Sequence, residues 1–275
     1  MHLINGKEQS HISVSDRGLM YGHSVFETVR IHQRKPLLWP QHLSRLQLGC
    51  ERLSLPLDID ALTKDVKTVC NNHSAENFVL RVSQTMGSGG RGYLSPKSAT
   101  GSRIVSAHEL PEYPKHRYLD GVTLGLCDLR LSRQPELAGI KHANRLEQII
   151  ARSQWHPSWH EALLLDYEDQ VIEATQSNVF LVQDGALKTP RLEHCGVAGV
   201  MREFIIRSIC GALNLSIEEA PLGVANVAAA DEVFVSNSLI GLWPVREFQN
   251  RTYKNFTVSH SILKSLIEHD AIPAY

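Results

Sequence analysis

Residues 137–148 read LAGIKHANRLEQ, with a small-residue turn at Ala138, Gly139 and Ile140, then Lys141, then a stretch in which Leu146, Ile149 and Ile150 recur at helical spacing. One lysine is thereby set at the junction of a turn and a helix, where its amine is available for chemistry. The ordinary alternative is a solvated lysine in the first turn of a surface helix. The remainder of the chain decides between the two.

A chain of 275 residues is long for one core and comfortable for two. Its formal net charge of −1 announces neither a nucleic-acid partner nor a membrane surface. The five cysteines, Cys50, Cys70, Cys127, Cys195 and Cys210, are scattered and form no CxxC pair, so a reducing compartment fits best. The opening residues MHLINGKE read as a hairpin turning at Asn5 and Gly6, not as a signal peptide. No apolar run approaches the ~20 residues needed to span a bilayer. The expectation is a cytoplasmic protein.

In chain order, Ser24 to Ile31 is strand-like, and residues 41–53 form an amphipathic helix with Leu43, Leu46, Cys50 and Leu53 on one face. Asp58 is placed to cap a second helix carrying Ile59, Leu62, Val66 and Val69. Residues 78–83 and 103–107 read as strands on either side of a glycine-rich loop. Residues 111–120 carry two prolines and many charges, and 113–120 are expected to link an N-terminal α+β domain (1–112) to a C-terminal α+β domain (121–275) carrying Lys141. Strands are predicted in that second half at 122–126, 162–165, along one long run at 171–182, near Ile217, at 232–236 and at 242–248. Helices are predicted at 199–213, in a short Ala-rich stretch, and after Thr257.

Two motifs are misleading. Residues 87–92, GSGGRG, satisfy GxGxxG, but Tyr93, Leu94, Ser95 and Pro96 lead on to another strand where the dinucleotide fingerprint needs a helix. What remains is a loop whose Arg91 and Tyr93 could grip a carboxylate substrate. His156 and His160 have metal-ligand spacing, but Pro157 and Trp159 between them make a turn, and no metal is expected. There is no GxSxG elbow for a serine hydrolase.

Three others agree with one another. Glu173 lies among Val171, Ile172, Val179 and Phe180, where a carboxylate is costly unless it meets a cation or strong donor. Gly196 to Gly199 lead into a helix starting Val200, Met201, Arg202, which presents free N–H groups with little side chain in the way. The strand through Phe234, Val235 and Ser236 ends in Asn237 and Ser238, able to add a hydroxyl or amide to the same anion. An amine, a buried acid and a phosphate cup are the requirements of pyridoxal 5'-phosphate.

The chain resembles the fold type IV pyridoxal-phosphate enzymes, the group that holds branched-chain and D-amino-acid aminotransferases, and within it the aminodeoxychorismate lyases most. The carriers are SDRGLMYGHSVFETVR (15–30), HLSRL (42–46), GSGGRGY (87–93), AGIKHANRLEQ (138–148), IEATQSN (172–178) and GVMR (199–202). By this resemblance Lys141 is the Schiff-base lysine, Glu173 pairs with the pyridinium nitrogen and Arg45 binds the phosphate. Val200 and Met201 add backbone amides, Ser238 a second phosphate contact, Asn178 supports the site, and Arg91 and Tyr93 touch the substrate. The resemblance implies a homodimer that converts 4-amino-4-deoxychorismate to p-aminobenzoate and pyruvate. The alternative is a class IV aminotransferase acting on D-amino or branched-chain amino acids. Branched-chain aminotransferases usually carry a tyrosine shortly after the lysine; Asn144, Arg145 and Leu146 stand there instead.

Overall fold

Asn5 and Gly6, with φ of 51° and 78°, make the left-handed pair that a two-residue hairpin demands, and β1 (His2–Ile4) and β2 (Lys7–Glu8) pair antiparallel across them. The computed structural model to which these strands belong describes residues 1–96 and 98–274. It separates into two units, Met1–Pro111 with Ile140–Asn144, and Glu112–Gly139 with Arg145–Tyr275.

The first unit continues with α1 (Arg17–Tyr21), β3 (Ser24–His32), β4 (Lys35–Pro36), α2 (Trp39–Arg52), α3 (Ile59–Asn72), β5 (Phe78–Thr85) and β6 (Ser102–His108). Its antiparallel sheet runs β2-β1-β6-β5-β3-β4. Val25, Val29 and Ile31 share one parity on β3 and are buried with Leu46 and Cys50 of α2 and Leu62, Val66 and Val69 of α3 in a single cluster. Asp58 caps α3 as its position predicts, accepting the Ala61 N–H at 2.9 Å. The preceding helix begins at Trp39 rather than residue 41, because Pro40 is tolerated in a first turn.

The second unit holds α4 (His116–Leu119), β7 (Val122–Leu131), α5 (Leu146–Ser153), β8 (Glu161–Asp166), β9 (Val171–Ala174), β10 (Asn178–Gln183), β11 (Ala186–Pro190) and α6 (Val200–Phe204). A π segment (Ile205–Ile209) leads to α7 (Cys210–Ala212), followed by β12 (Ile217–Ala220), α8 (Val224–Ala229), β13 (Glu232–Asn237), β14 (Gly241–Phe248), β15 (Arg251–Thr252) and α9 (Thr257–Glu268). The sheet runs β12-β11-β10-β13-β14-β7-β8-β9, with β15 folded onto β14. Phe180 and Phe234 stack at 4.8 Å between neighbouring strands, and Ile262, Leu263 and Leu266 bury one face of α9. Among the described residues, no helix is long and apolar enough to cross a membrane.

Five expectations need correction. Lys141 belongs to the first unit and not the second, because residues 141–143 lie along the edge of β3 that β4 leaves uncovered. There Phe26 N–H donates to Lys141 O at 3.0 Å, and Ala143 N–H donates to Ser24 O at 2.9 Å. The expected linker contains α4, with Tyr118 buried at 4% exposure. The long strand is broken at residues 175–177, because Glu161 is buried there and its carboxylate accepts the Thr175 hydroxyl (2.5 Å), the Ser177 hydroxyl (2.6 Å) and the Gln176 N–H (3.2 Å). After that turn β9 stays with β8 while β10 joins β13. The helix at 199–213 is not uniformly α, since its middle widens to π. In α5, Ala151 is the buried residue, while Leu146, Ile149 and Ile150 are exposed.

Candidate functional site

In the first unit the chemistry gathers on β3. Main-chain bonds to Ser24 and Phe26 fix the segment bearing Lys141, and its Nζ lies 4.6 Å from the centre of the Phe26 ring. The next residue, Glu27, occupies the core parity of the strand, between Val25 and Val29, yet it is a carboxylate 1% exposed. Its compensation comes from α2, where His42 and Arg45 lie three residues apart on the face that meets β3. Arg45 Nε donates to Glu27 Oε1 at 2.8 Å and Nη2 to Oε2 at 2.5 Å, while His42 Nδ1 donates to Oε2 at 2.6 Å.

Burial pushes the Glu27 carboxyl up, but the Arg45 charge and the hydrogen bonds from His42 and Arg45 outweigh it and bring the group from 4.5 down to about 2. Burial lowers the His42 imidazole against the opposing pull of Glu27. The cluster is therefore a carboxylate, a guanidinium and a neutral ring, with Arg45 fixed in one orientation. Arg91 and Tyr93 lie on an exposed loop of this unit, and the Tyr93 ring meets Tyr21 edge-on at 5.7 Å.

In the second unit the chemistry gathers around residues 196–201. Glu173, 4% exposed on β9, accepts the Val197 N–H at 2.8 Å and the Gln148 amide at 3.4 Å. The loop presenting Val197 is pinned three ways. Gly139 N–H donates to Gly196 O at 2.9 Å, Ala198 N–H to Gly139 O at 3.1 Å, and the Asn178 amide to Val197 O at 2.9 Å. Gly196 has φ +86°, and a Cβ there would come within 2.6 Å of Ile172 Cγ2, so only glycine lets the loop pass so close to β9.

The loop then enters α6, whose first residues are Val200 and Met201 and whose N-cap, Gly199, supplies no side-chain acceptor. The first N–H groups of a helix have no intrahelical partner, so this start is able to donate to an anion. Ser238 is half-buried in the turn after β13, shaped by Asn237 Oδ1, which accepts from the N–H groups of Leu239 and Ile240. Opposite Asn178 on that strand, the buried Ser236 hydroxyl has no partner among the described residues.

Lys141 and Arg45 are thus joined through β3, and Glu173, Val200 and Met201 through the 196–201 loop. Sequence reasoning missed Glu27 and His42. Glu27 was detectable as an acid at a core position of an alternating strand, and His42 as its i−3 companion to Arg45. Ser236 carried no signal beyond being polar. Among the described residues there is no group of three or more His, Cys, Asp or Glu side chains that could hold a metal ion.

Residues 24–248 match the family model described as Amino-transferase class IV. An aminodeoxychorismate lyase of Vibrio harveyi is 32% identical over 252 residues, covering 89% of this chain and 90% of that protein. The crystal structure of a 4-amino-4-deoxychorismate lyase from Pseudomonas aeruginosa superposes with a TM-score of 0.93 at 38% identity, covering 98% of each chain. A putative branched-chain-amino-acid aminotransferase of Methanocaldococcus jannaschii is 27% identical over 96% of this chain and 93% of that protein.

Proposed function

This chain belongs to the amino-transferase class IV family, and on that premise we propose that it is a pyridoxal-phosphate-dependent lyase that converts 4-amino-4-deoxychorismate to p-aminobenzoate and pyruvate. The observation that carries the choice of lyase over aminotransferase is the likeness to two aminodeoxychorismate lyases at 32% and 38% identity, against 27% for the aminotransferase.

The residues present fit pyridoxal 5'-phosphate. A buried carboxylate already bonded to a main-chain N–H suits a protonated ring nitrogen, and an uncapped helix start near an orphaned buried hydroxyl suits a phosphate. When bound, the cofactor supplies an aldehyde carbon that condenses with amines and a protonated ring that draws electrons from the substrate.

The chain supplies the rest. Lys141 is the residue whose Nζ would hold the cofactor, and its amine would take the proton from the substrate carbon that bears the amino group. Glu173 holds a proton on the ring nitrogen. Arg45, Val200, Met201 and Ser238 bind the phosphate, with Glu27 and His42 fixing the guanidinium. Asn178 keeps the Val197 N–H aimed at Glu173 through the Val197 carbonyl. Arg91 and Tyr93 contact the substrate. Loss of the enolpyruvyl group leaves an aromatic ring, which drives the reaction, and the proton removed from carbon balances the one that group gains on becoming pyruvate.

The functional unit of this reading is a cytoplasmic homodimer. Exposed Leu146, Ile149 and Ile150 on α5 and Leu19 and Met20 on α1 support association. The five cysteines, all buried and unpaired, support a reducing compartment. The test is to give the cofactor-loaded protein 4-amino-4-deoxychorismate alone and follow both products. Equal amounts of pyruvate and p-aminobenzoate, with no keto acid consumed, are expected. Turnover that needs a keto acid, or no turnover, would overturn the reading.

A further inference from the structure

We propose that Asp16 and Arg17 are positioning residues that hold the loop of residues 87–94 in one shape, so that Arg91 and Tyr93 are presented to the substrate; the second half of this rests on the lyase reading above. Asp16 is 1% exposed. Its Oδ1 accepts the Gly18 N–H at 2.7 Å, and its Oδ2 accepts the hydroxyls of Thr85 (3.0 Å) and Ser102 (2.6 Å). Thr85 ends β5 and Ser102 begins β6. One carboxylate therefore ties the two feet of the connection together.

Arg17 works at the tip. It is 3% exposed, and its Nη1 donates to Gly92 O at 2.9 Å while Nη2 donates to Tyr93 O at 3.1 Å. Its main-chain N–H donates to Gly87 O at 2.9 Å, and its guanidinium lies 4.8 Å from the centre of the Tyr21 ring. These partners include no carboxylate, so the buried charge is spent on loop carbonyls and an aromatic face. Gly87, Gly89, Gly90 and Gly92 all have φ between +59° and +120°. So glycine-rich a backbone would sample many shapes unless something outside it chose one. At Gly90 a Cβ would fall 2.7 Å from Leu94 O and 3.5 Å from Arg17 Nη1, which shows how closely the loop folds around the guanidinium.

The two prongs are geometric, so charge alone does not replace them. A lysine brings a single point donor where arginine brings a planar fork. Trypsin reads the loop directly, because Arg91 is exposed and the next two carbonyls are the ones Arg17 holds.

In the cofactor-loaded enzyme, Arg17→Gln and Arg17→Lys are both expected to speed cleavage after Arg91 by about tenfold or more. Both are expected to raise KM for 4-amino-4-deoxychorismate by about tenfold with kcat changed by less than about threefold. Asp16→Asn is expected to move cleavage the same way. Hydrogen exchange on the unsubstituted enzyme needs no variant to fold, and there the Arg17 N–H is expected to exchange at least about a hundredfold slower than an open amide. Wild-type cleavage rates in both Arg17 variants, full rescue by Arg17→Lys, or an unprotected Arg17 N–H would overturn the clamp. Faster cleavage with unchanged KM would overturn the loop's role toward substrate and leave the clamp standing. An enzyme that makes no pyruvate would defeat the lyase reading instead, without touching the cleavage result.

Discussion

Glu27 is a buried carboxylate held ionised by two neighbours, Arg45 and His42. Its carboxyl titrates near 4.5 in the unfolded chain and at about 2 in the fold. A depressed acid contributes stability that is full above its unfolded value and lost as pH falls through the folded one. The window is therefore pH 4.5 down to 2, and a separation of about 2.5 units corresponds to roughly 3 kcal/mol. The buried His42, lowered in the fold, pulls the same way as acid charges it. Urea unfolding between pH 7 and pH 3 should show this loss, and Glu27→Gln should flatten it while costing roughly 3–5 kcal/mol at pH 7 by removing the buried carboxylate charge that faces Arg45. Parallel pH curves for the two proteins would contradict the assignment. At this scale Lys141 and Glu173 stood out in the sequence because each is a charged residue in a setting that needs a reason, whereas Arg45 was singled out only by the family resemblance. Arg17 did not stand out, since an arginine beside an aspartate in a loop reads as a surface pair until its burial is seen.

At the scale of elements, periodicity found most helices and strands because one face of each is buried in its own unit. It failed where tertiary contacts overrule local pattern. The residues from Val171 to Val182 look like one strand, and the break at 175–177 is imposed by Glu161, ten residues upstream of Val171. The apolar spacing of α5 marks a helix but not its buried face, which is the one that carries Ala151. The loop at 196–199 gives a sharper test. Asn178→Ala removes the bond to Val197 O and frees the loop that aims an N–H at Glu173, so cofactor affinity should fall about tenfold with little change in fold. As a control, Asp58→Ala removes the α3 cap and should cost about 1 kcal/mol of stability while leaving cofactor affinity alone. Equal effects of the two on affinity, followed by absorption titration, would refute the role given to Asn178.

For the whole molecule, two cores were foreseeable from length and from the break in pattern after residue 110. That Ile140–Asn144 return to the first unit was not, because main-chain pairing with β3 leaves no trace in side-chain periodicity. The lysine is thus carried on a segment held by a sheet edge, a firmer mount than the helix start the sequence implied. Two consequences concern the intact protein. Saturating cofactor, at about a hundredfold over its Kd, should add roughly 2.7 kcal/mol to stability. Sedimentation of the loaded protein should give twice the 30.8 kDa chain mass, and a monomer at every concentration would remove the dimer from the account.

Borohydride reduction of the cofactor-loaded enzyme, followed by digestion and peptide mapping, tests most directly whether Lys141 carries the aldehyde. One phosphopyridoxyl group per chain is expected, on the peptide containing Lys141 and on no other. Label on a different lysine, or none after cofactor binding is confirmed by absorption, would contradict it.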